Sequence, residues 1–86
     1  MRPLWWLSFA GDTGFLGACI VEGADIVDAA RTALSLGCNP GGQVLGQKIP
    51  VDPDGTWPID PEDRDRLMNR AECEDFDRRM LARKAN

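Results

Sequence analysis

Two adjacent tryptophans near the start of the chain, Trp5 and Trp6, lie in the run Leu4-Trp5-Trp6-Leu7-Ser8-Phe9, apolar or aromatic at all but one position. β-branched and aromatic-rich runs of this length favour a strand, and neighbouring side chains on a strand leave opposite faces of the sheet. One tryptophan can therefore enter a core while the other needs separate cover. Ala10-Gly11-Asp12-Thr13-Gly14 supplies turn chemistry, and Phe15 to Val21 is a second apolar run. The pair predicts a β-hairpin. Gly17 and Ala18 within the second run would let another backbone, or a bulky Trp, lie close.

Asp25 opens a helical pattern in which Ile26, Ala29, Ala30, Ala33 and Leu34 share one face, and Gly37 stops it as a left-handed cap residue. After the turn Asn39-Pro40-Gly41-Gly42, Gln43 to Ile49 suits a third strand. A helix that carries the chain to a strand parallel to the one before it makes a right-handed crossover. The third strand then lies beside the first, in the order 2-1-3. Residues 51–59, with Pro53, Asp54, Gly55 and Pro58, form a connection. Asp60 as a cap, with Pro61, Glu62 and Asp63 behind it, predicts a short helix to about Met68. Leu67, Met68 and Ala71 fall opposite Cys73, Phe76 and Met80 at helical spacing, and Asn69 followed by Glu72 is a capping-box variant. A new helix is thus expected from Arg70 to about Arg83.

The expected fold is α+β: a three-stranded sheet from a ββαβ unit, one main helix against it, and two short C-terminal helices. All 86 residues form one domain, with residues 1–50 as the core unit, 51–59 as the connection and 60–84 as the helical end. A chain this small has little core to spare, and Trp5, Trp6, Leu7, Phe9, Leu16, Ala18 and Ile20 load both faces of its sheet. Self-association into a homo-oligomer is the expected consequence.

The net charge of −4 argues against nucleic acid and anionic membrane as partners. A helix-turn-helix over Asp25 to Gly46 fails on propensity, because its second helix would contain Pro40, Gly41, Gly42 and Gly46. Arg2, the apolar run and Leu16-Gly17-Ala18-Cys19 imitate a lipoprotein signal, but Gly11-Asp12-Thr13-Gly14 interrupts the apolar region. The same break is too early for a membrane span, which needs about 20 apolar residues. The three cysteines, Cys19, Cys38 and Cys73, form no C-x-x-C motif, and a reducing cytoplasm fits them best. The sequence contains no histidine, which removes the commonest general base and metal ligand together. No catalytic residue, metal site or cofactor is expected, and the chain is read as not an enzyme.

Three features remain as binding candidates. The loop Gly37-Cys38-Asn39-Pro40-Gly41-Gly42 has glycines that let N–H groups converge on an anion, although it matches no phosphate-binding motif and serves equally as a helix stop and turn. The tryptophan on the second face can stack on a nucleobase, insert into a partner, or lie under the C-terminal helices. Trp57, between proline-rich turns, is a candidate ligand-facing aromatic. Asp52-Pro53-Asp54-Gly55 resembles the start of a calcium loop but lacks its later glycine and closing Glu, and reads as a turn.

Trp6-Leu7-Ser8-Phe9, Phe15-Leu16-Gly17, Gly37-Cys38-Asn39-Pro40-Gly41-Gly42 and Asn69-Arg70 together resemble a family of short proteins of bacteria and their phages. The resemblance spans most of the chain and implies a phage or prophage setting, with no residue roles. By analogy with small acidic proteins of that setting, it implies a host-defence antagonist that binds a protein or soaks up a signalling nucleotide. The leading expectation is a non-enzymatic, cytoplasmic homo-oligomer that binds a small anionic or nucleotide-like ligand through Asn39, Gly41, Gly42, Gln43, Trp57, Trp6 and Ser8. The alternative is an inhibitor of a host protein, acting through an apolar surface or the acidic stretch Asp52 to Asp63.

Overall fold

The computed structural model describes residues 2–50 and 59–84. Trp57 and most of the predicted connection, including the Asp52–Gly55 turn, lie outside the described residues. Strands β1 (Leu4–Gly11) and β2 (Gly14–Glu22) form the hairpin, followed by α1 (Ile26–Ser35), β3 (Gln43–Lys48), a single 3-10 turn (Pro61–Asp63) and α2 (Arg70–Lys84). The sheet order is β2-β1-β3 with both neighbouring pairs antiparallel, as the 2-1-3 reading requires. The hairpin turn is tighter than expected, with only Asp12 and Thr13 between the strands. Phe9 faces Gly17 and Ala10 faces Phe15, so Leu16 is the extra residue of a β-bulge, with Gly17 at φ +144°.

Helix α1 is held at both ends by the predicted devices. Asp25 accepts from the Asp28 N–H at 2.8 Å. At the other end Cys38 N–H donates to Ala33 O (2.9 Å) and Gly37 N–H to Leu34 O (3.2 Å), while Gly37 sits at φ +77°. That pair of bonds is a Schellman motif, and the left-handed residue it needs is a glycine.

The two faces of the sheet carry separate cores. Leu7, Phe9, Cys19 and Val21 point toward Ala29 and Ala33 of α1, with Trp5 packed at the margin and its indole N–H donating to Gly23 O at 2.8 Å. Leu4 and Ile20 point the other way, toward Met68 and Phe76, with Trp6 packed against them. The adjacent tryptophans are thus both accounted for, and Trp6 lies under the C-terminal helix.

The helix predicted from Asp60 to Met68 is a correction: only the 3-10 turn Pro61–Asp63 forms. Asp60 meets it through its backbone carbonyl, which accepts from Asp63 N–H at 3.0 Å, and not through a side-chain cap; Arg64 is extended, and Asp65 takes a left-handed φ of +61°. The reason is a better use of the same backbone. Asp65 N–H donates to Ile20 O (2.9 Å), and Ala18 and Met68 exchange both backbone bonds (3.0 and 2.7 Å), so this stretch runs along the free edge of β2. Gly17 admits it, since a Cβ there would lie 2.7 Å from the Leu67 side chain and 3.1 Å from Met68 O. Burying apolar surface while pairing an edge outweighs a modest helix propensity.

Asp63 anchors the turn. It is 2% exposed and receives two hydrogen bonds from Arg79, at 2.8 and 3.0 Å. Those bonds hold its carboxyl below the usual carboxylate range in spite of burial. Helix α2 begins with the predicted capping box: Asn69 Oδ1 accepts from Glu72 N–H (2.9 Å) and Glu72 Oε1 from Asn69 N–H (3.0 Å). Among the described residues no helix is long and apolar enough to cross a membrane.

Candidate functional site

The glycine loop is built to serve its own chain. Asn39 reaches back with its side-chain amide to Ala30 O of α1 (3.2 Å), and its carbonyl oxygen accepts from Gly41 N–H (2.8 Å). This is an Asx turn, and it engages an N–H that an anion would otherwise use. Gly42 sits at φ +77°, and a Cβ there would lie 2.5 Å from Ala10 O and 3.0 Å from Leu16. The close backbone approach expected at Gly42 is therefore made by β1 itself. Gly41, at φ +86°, faces open space.

Strand register shows which of the expected site residues share a surface. Trp6, Ser8 and Ala10 of β1 are opposite Gln47, Leu45 and Gln43 of β3, and paired residues leave the same side of the sheet. Trp6, Ser8 and Gln43 therefore share the α2-side face, with Trp6 and Gln43 about 13 Å apart along the strands. Asn39, Gly41 and Gly42 lie beyond the Gln43 end. Trp6 is thus not brought onto the glycine loop.

A cleft opens beside Trp6, between the lower half of the sheet and α2. Its volume is about 270 Å³, and Trp6, Gln47, Ile49, Ile59, Phe76 and Met80 line it. The Trp6 and Phe76 rings stack with centroids 5.4 Å apart and planes inclined by 23°, and Arg79 lies over Phe76 at 5.7 Å. Asp77 of α2 supplies an anion beside it, while Lys48, paired with Trp5, directs its side chain to the α1 side of the sheet. A shallower hollow continues along α2 past Cys73 and Asp77 to Phe15, over whose ring Arg70 lies at 5.5 Å. An apolar floor with a sparse polar rim suits an apolar side chain or a flat ring.

Of these lining residues, sequence reasoning named Trp6 alone as a site residue. The signal for two others was in view, because Cys73, Phe76 and Met80 lie at helical spacing on one side of the second C-terminal helix. Ile49 and Ile59 border the predicted connection and carried no such signal.

The cysteines are poor nucleophiles. Burial pushes the Cys19 and Cys38 thiols up, the former also through its contact with Cys38, and burial with nearby Asp77 pushes Cys73 up. Of the acidic stretch, Asp63 is buried and paired with Arg79, so it presents no charge to a partner. Among the described residues no three acidic or thiol side chains are grouped to hold a metal ion. No family model, curated protein or solved structure matches the chain.

Proposed function

We propose that the chain is a non-catalytic binding protein, and that the cleft over Trp6 receives an apolar or aromatic side chain of a protein partner. The observation that carries this reading is the cleft itself: stacked Trp6 and Phe76, with Met80, Ile49 and Ile59, leave apolar surface open on a small domain. Exposed apolar concavities rimmed by polar groups are the usual form of a protein-recognition anchor site. The absence of histidine and the raised thiols support a binding role over a catalytic one. With the resemblance to short phage and bacterial proteins, the partner is a host protein and the effect is inhibition.

The test is selection from a random peptide library against three proteins: wild type, Met80→Glu in the cleft, and Gly41→Ala in the loop. The reading expects peptides with one large apolar anchor, lost with Met80→Glu and retained with Gly41→Ala. Enrichment that survives Met80→Glu overturns it.

A second reading, a small anionic or nucleotide-like ligand, is favoured by Trp6, Ser8 and Gln43 sharing one sheet face, with the loop that holds Gly41 joining it at the Gln43 end. Mass spectrometry of molecules released from the purified protein tests it: a bound nucleotide, lost with Gly41→Ala, would replace the first reading.

A further inference from the structure

The two edges of the sheet are treated differently. The β2 edge is occupied by residues 65–68 through the bonds to Ile20 and Ala18. The β3 edge carries no such cover among the described residues, and every residue of β3 except Val44 is exposed.

The outward groups of β3 follow from its register. Ile49 N–H donates to Leu4 O at 2.9 Å, one step beyond the Trp5–Lys48 pair. Hydrogen-bonded and non-bonded pairs alternate along an antiparallel ladder. Gln43, Leu45 and Gln47 therefore bond inward to β1, while Val44, Gly46 and Lys48 turn their N–H and C=O groups outward. Natural edges of this kind are blunted by charges, proline or bulges. Here the strand has one charge, Lys48, at its end, and at its middle stands Leu45, 70% exposed and the most exposed large apolar residue among those described.

The strand is also nearly symmetric. Gln43-Val44-Leu45-Gly46-Gln47 reads outward from Leu45 as a small or β-branched residue and then a glutamine in both directions. We propose that β3 pairs antiparallel with β3 of a second copy about a two-fold axis through Leu45, joining the two sheets into one of six strands. In that register Leu45 faces Leu45 of the second copy across a non-bonded pair, where side chains approach most closely. Val44 and Gly46 exchange backbone bonds with their counterparts, giving four in all. Each Gln43 faces a Gln47, amide against amide, and no like charges are opposed. On the other face Ile26 already covers Gly46, since a Cβ there would lie 2.5 Å from the Ile26 side chain, so Val44 of one copy meets Ile26 of the other. The dimer is independent of the cleft reading, although Gln47 belongs to both surfaces.

Sedimentation analysis and disulfide trapping of the full chain test this. Wild type is expected to move from 9.5 kDa toward twice that mass with rising concentration. Leu45→Lys and Leu45→Glu, each expected to keep its fold by circular dichroism because the side chain is 70% exposed, should stay monomeric alone and recover the dimer when mixed. Leu45→Cys should crosslink to itself under mild oxidation, and neither Gln47→Cys nor wild type should. Met80→Glu should leave the dimer intact, which separates failure of this interface from failure of the cleft. A wild-type monomer at every concentration, a dimer that persists in Leu45→Lys, or crosslinking only between Leu45→Cys and Gln47→Cys would each overturn the proposal.

Discussion

Replacing Phe76 with alanine removes the side chain that joins α2 to the second face of the sheet. Phe76 is 6% exposed, stacks on Trp6, and has the Arg79 guanidinium over its ring at 5.7 Å. Truncating a buried phenylalanine costs about 3–5 kcal/mol, of which a stacked aromatic pair accounts for roughly 0.5–1.5 kcal/mol. The neighbouring cleft means that the ring is packed on fewer sides than a central core residue, so the lower figure, about 3 kcal/mol, applies. For a domain of this size each kcal/mol moves the melting temperature by about 4–8 °C. The expected drop is therefore on the order of 12–24 °C by far-UV circular dichroism, with a red shift of tryptophan fluorescence as Trp6 meets water. Leu81→Ala is the control, because Leu81 lies on the same helix at 67% exposure and should cost less than about 0.5 kcal/mol. If Phe76→Ala melts within a few degrees of wild type, α2 does not pack on Trp6 and the cleft has no second wall.

Three further outcomes follow from the geometry. Asp63 is held below its ordinary pKa by Arg79, so its contribution is complete above about pH 4 and is lost as pH falls through the lower folded value. Urea midpoints should thus fall on acidification below about pH 4, and Asp63→Asn should flatten that fall while costing about 2–3 kcal/mol near neutrality, a figure moderated by the 39% exposure of Arg79. Gly42→Ala should cost about 2–4 kcal/mol through the contact with Ala10 O and its left-handed φ, whereas Gly41→Ala, with open space around it, should cost about 1 kcal/mol; equal midpoints for the two would contradict the packing described. Asn69→Ala, which opens the capping box, should lower stability by about 1 kcal/mol and raise amide exchange in the first turn of α2; unchanged exchange there would show that the cap does not hold the turn.

The first fifty residues were legible because their signals are local and agree with one another. Asp25, Gly37 and the hairpin glycines act through backbone conformation, and the order 2-1-3 follows from connection rules once the elements are placed. The stretch from Asp60 to Met68 was misread because its local signals, Asp60, Pro61 and the acids after it, favour a helix, whereas the deciding interactions are with Ala18 and Ile20, more than forty residues earlier. The small residues Gly17 and Ala18 indicated that another backbone would lie close, yet nothing in the sequence identified it. The candidate site was legible in part for the same reason. Trp6 stood out on its own strand, but Phe76, Met80, Ile49 and Ile59 become a cleft only when α2 crosses that face. At the glycine loop the conformational demand of Gly42 was visible, and the neighbour that imposes it, Ala10, was not.

Amide, indole and methyl NMR spectra report residue by residue where a partner contacts the protein. Titrating in a library-selected peptide with one large apolar anchor, with the Trp6 indole signal assigned through Trp6→Phe, should shift the Trp6 indole and the Met80 methyl while leaving the Gly41 and Gly42 amides in place. Shifts confined to Gly41 and Gly42, with Trp6 and Met80 unmoved, would contradict the assignment of the cleft and return the binding site to the loop.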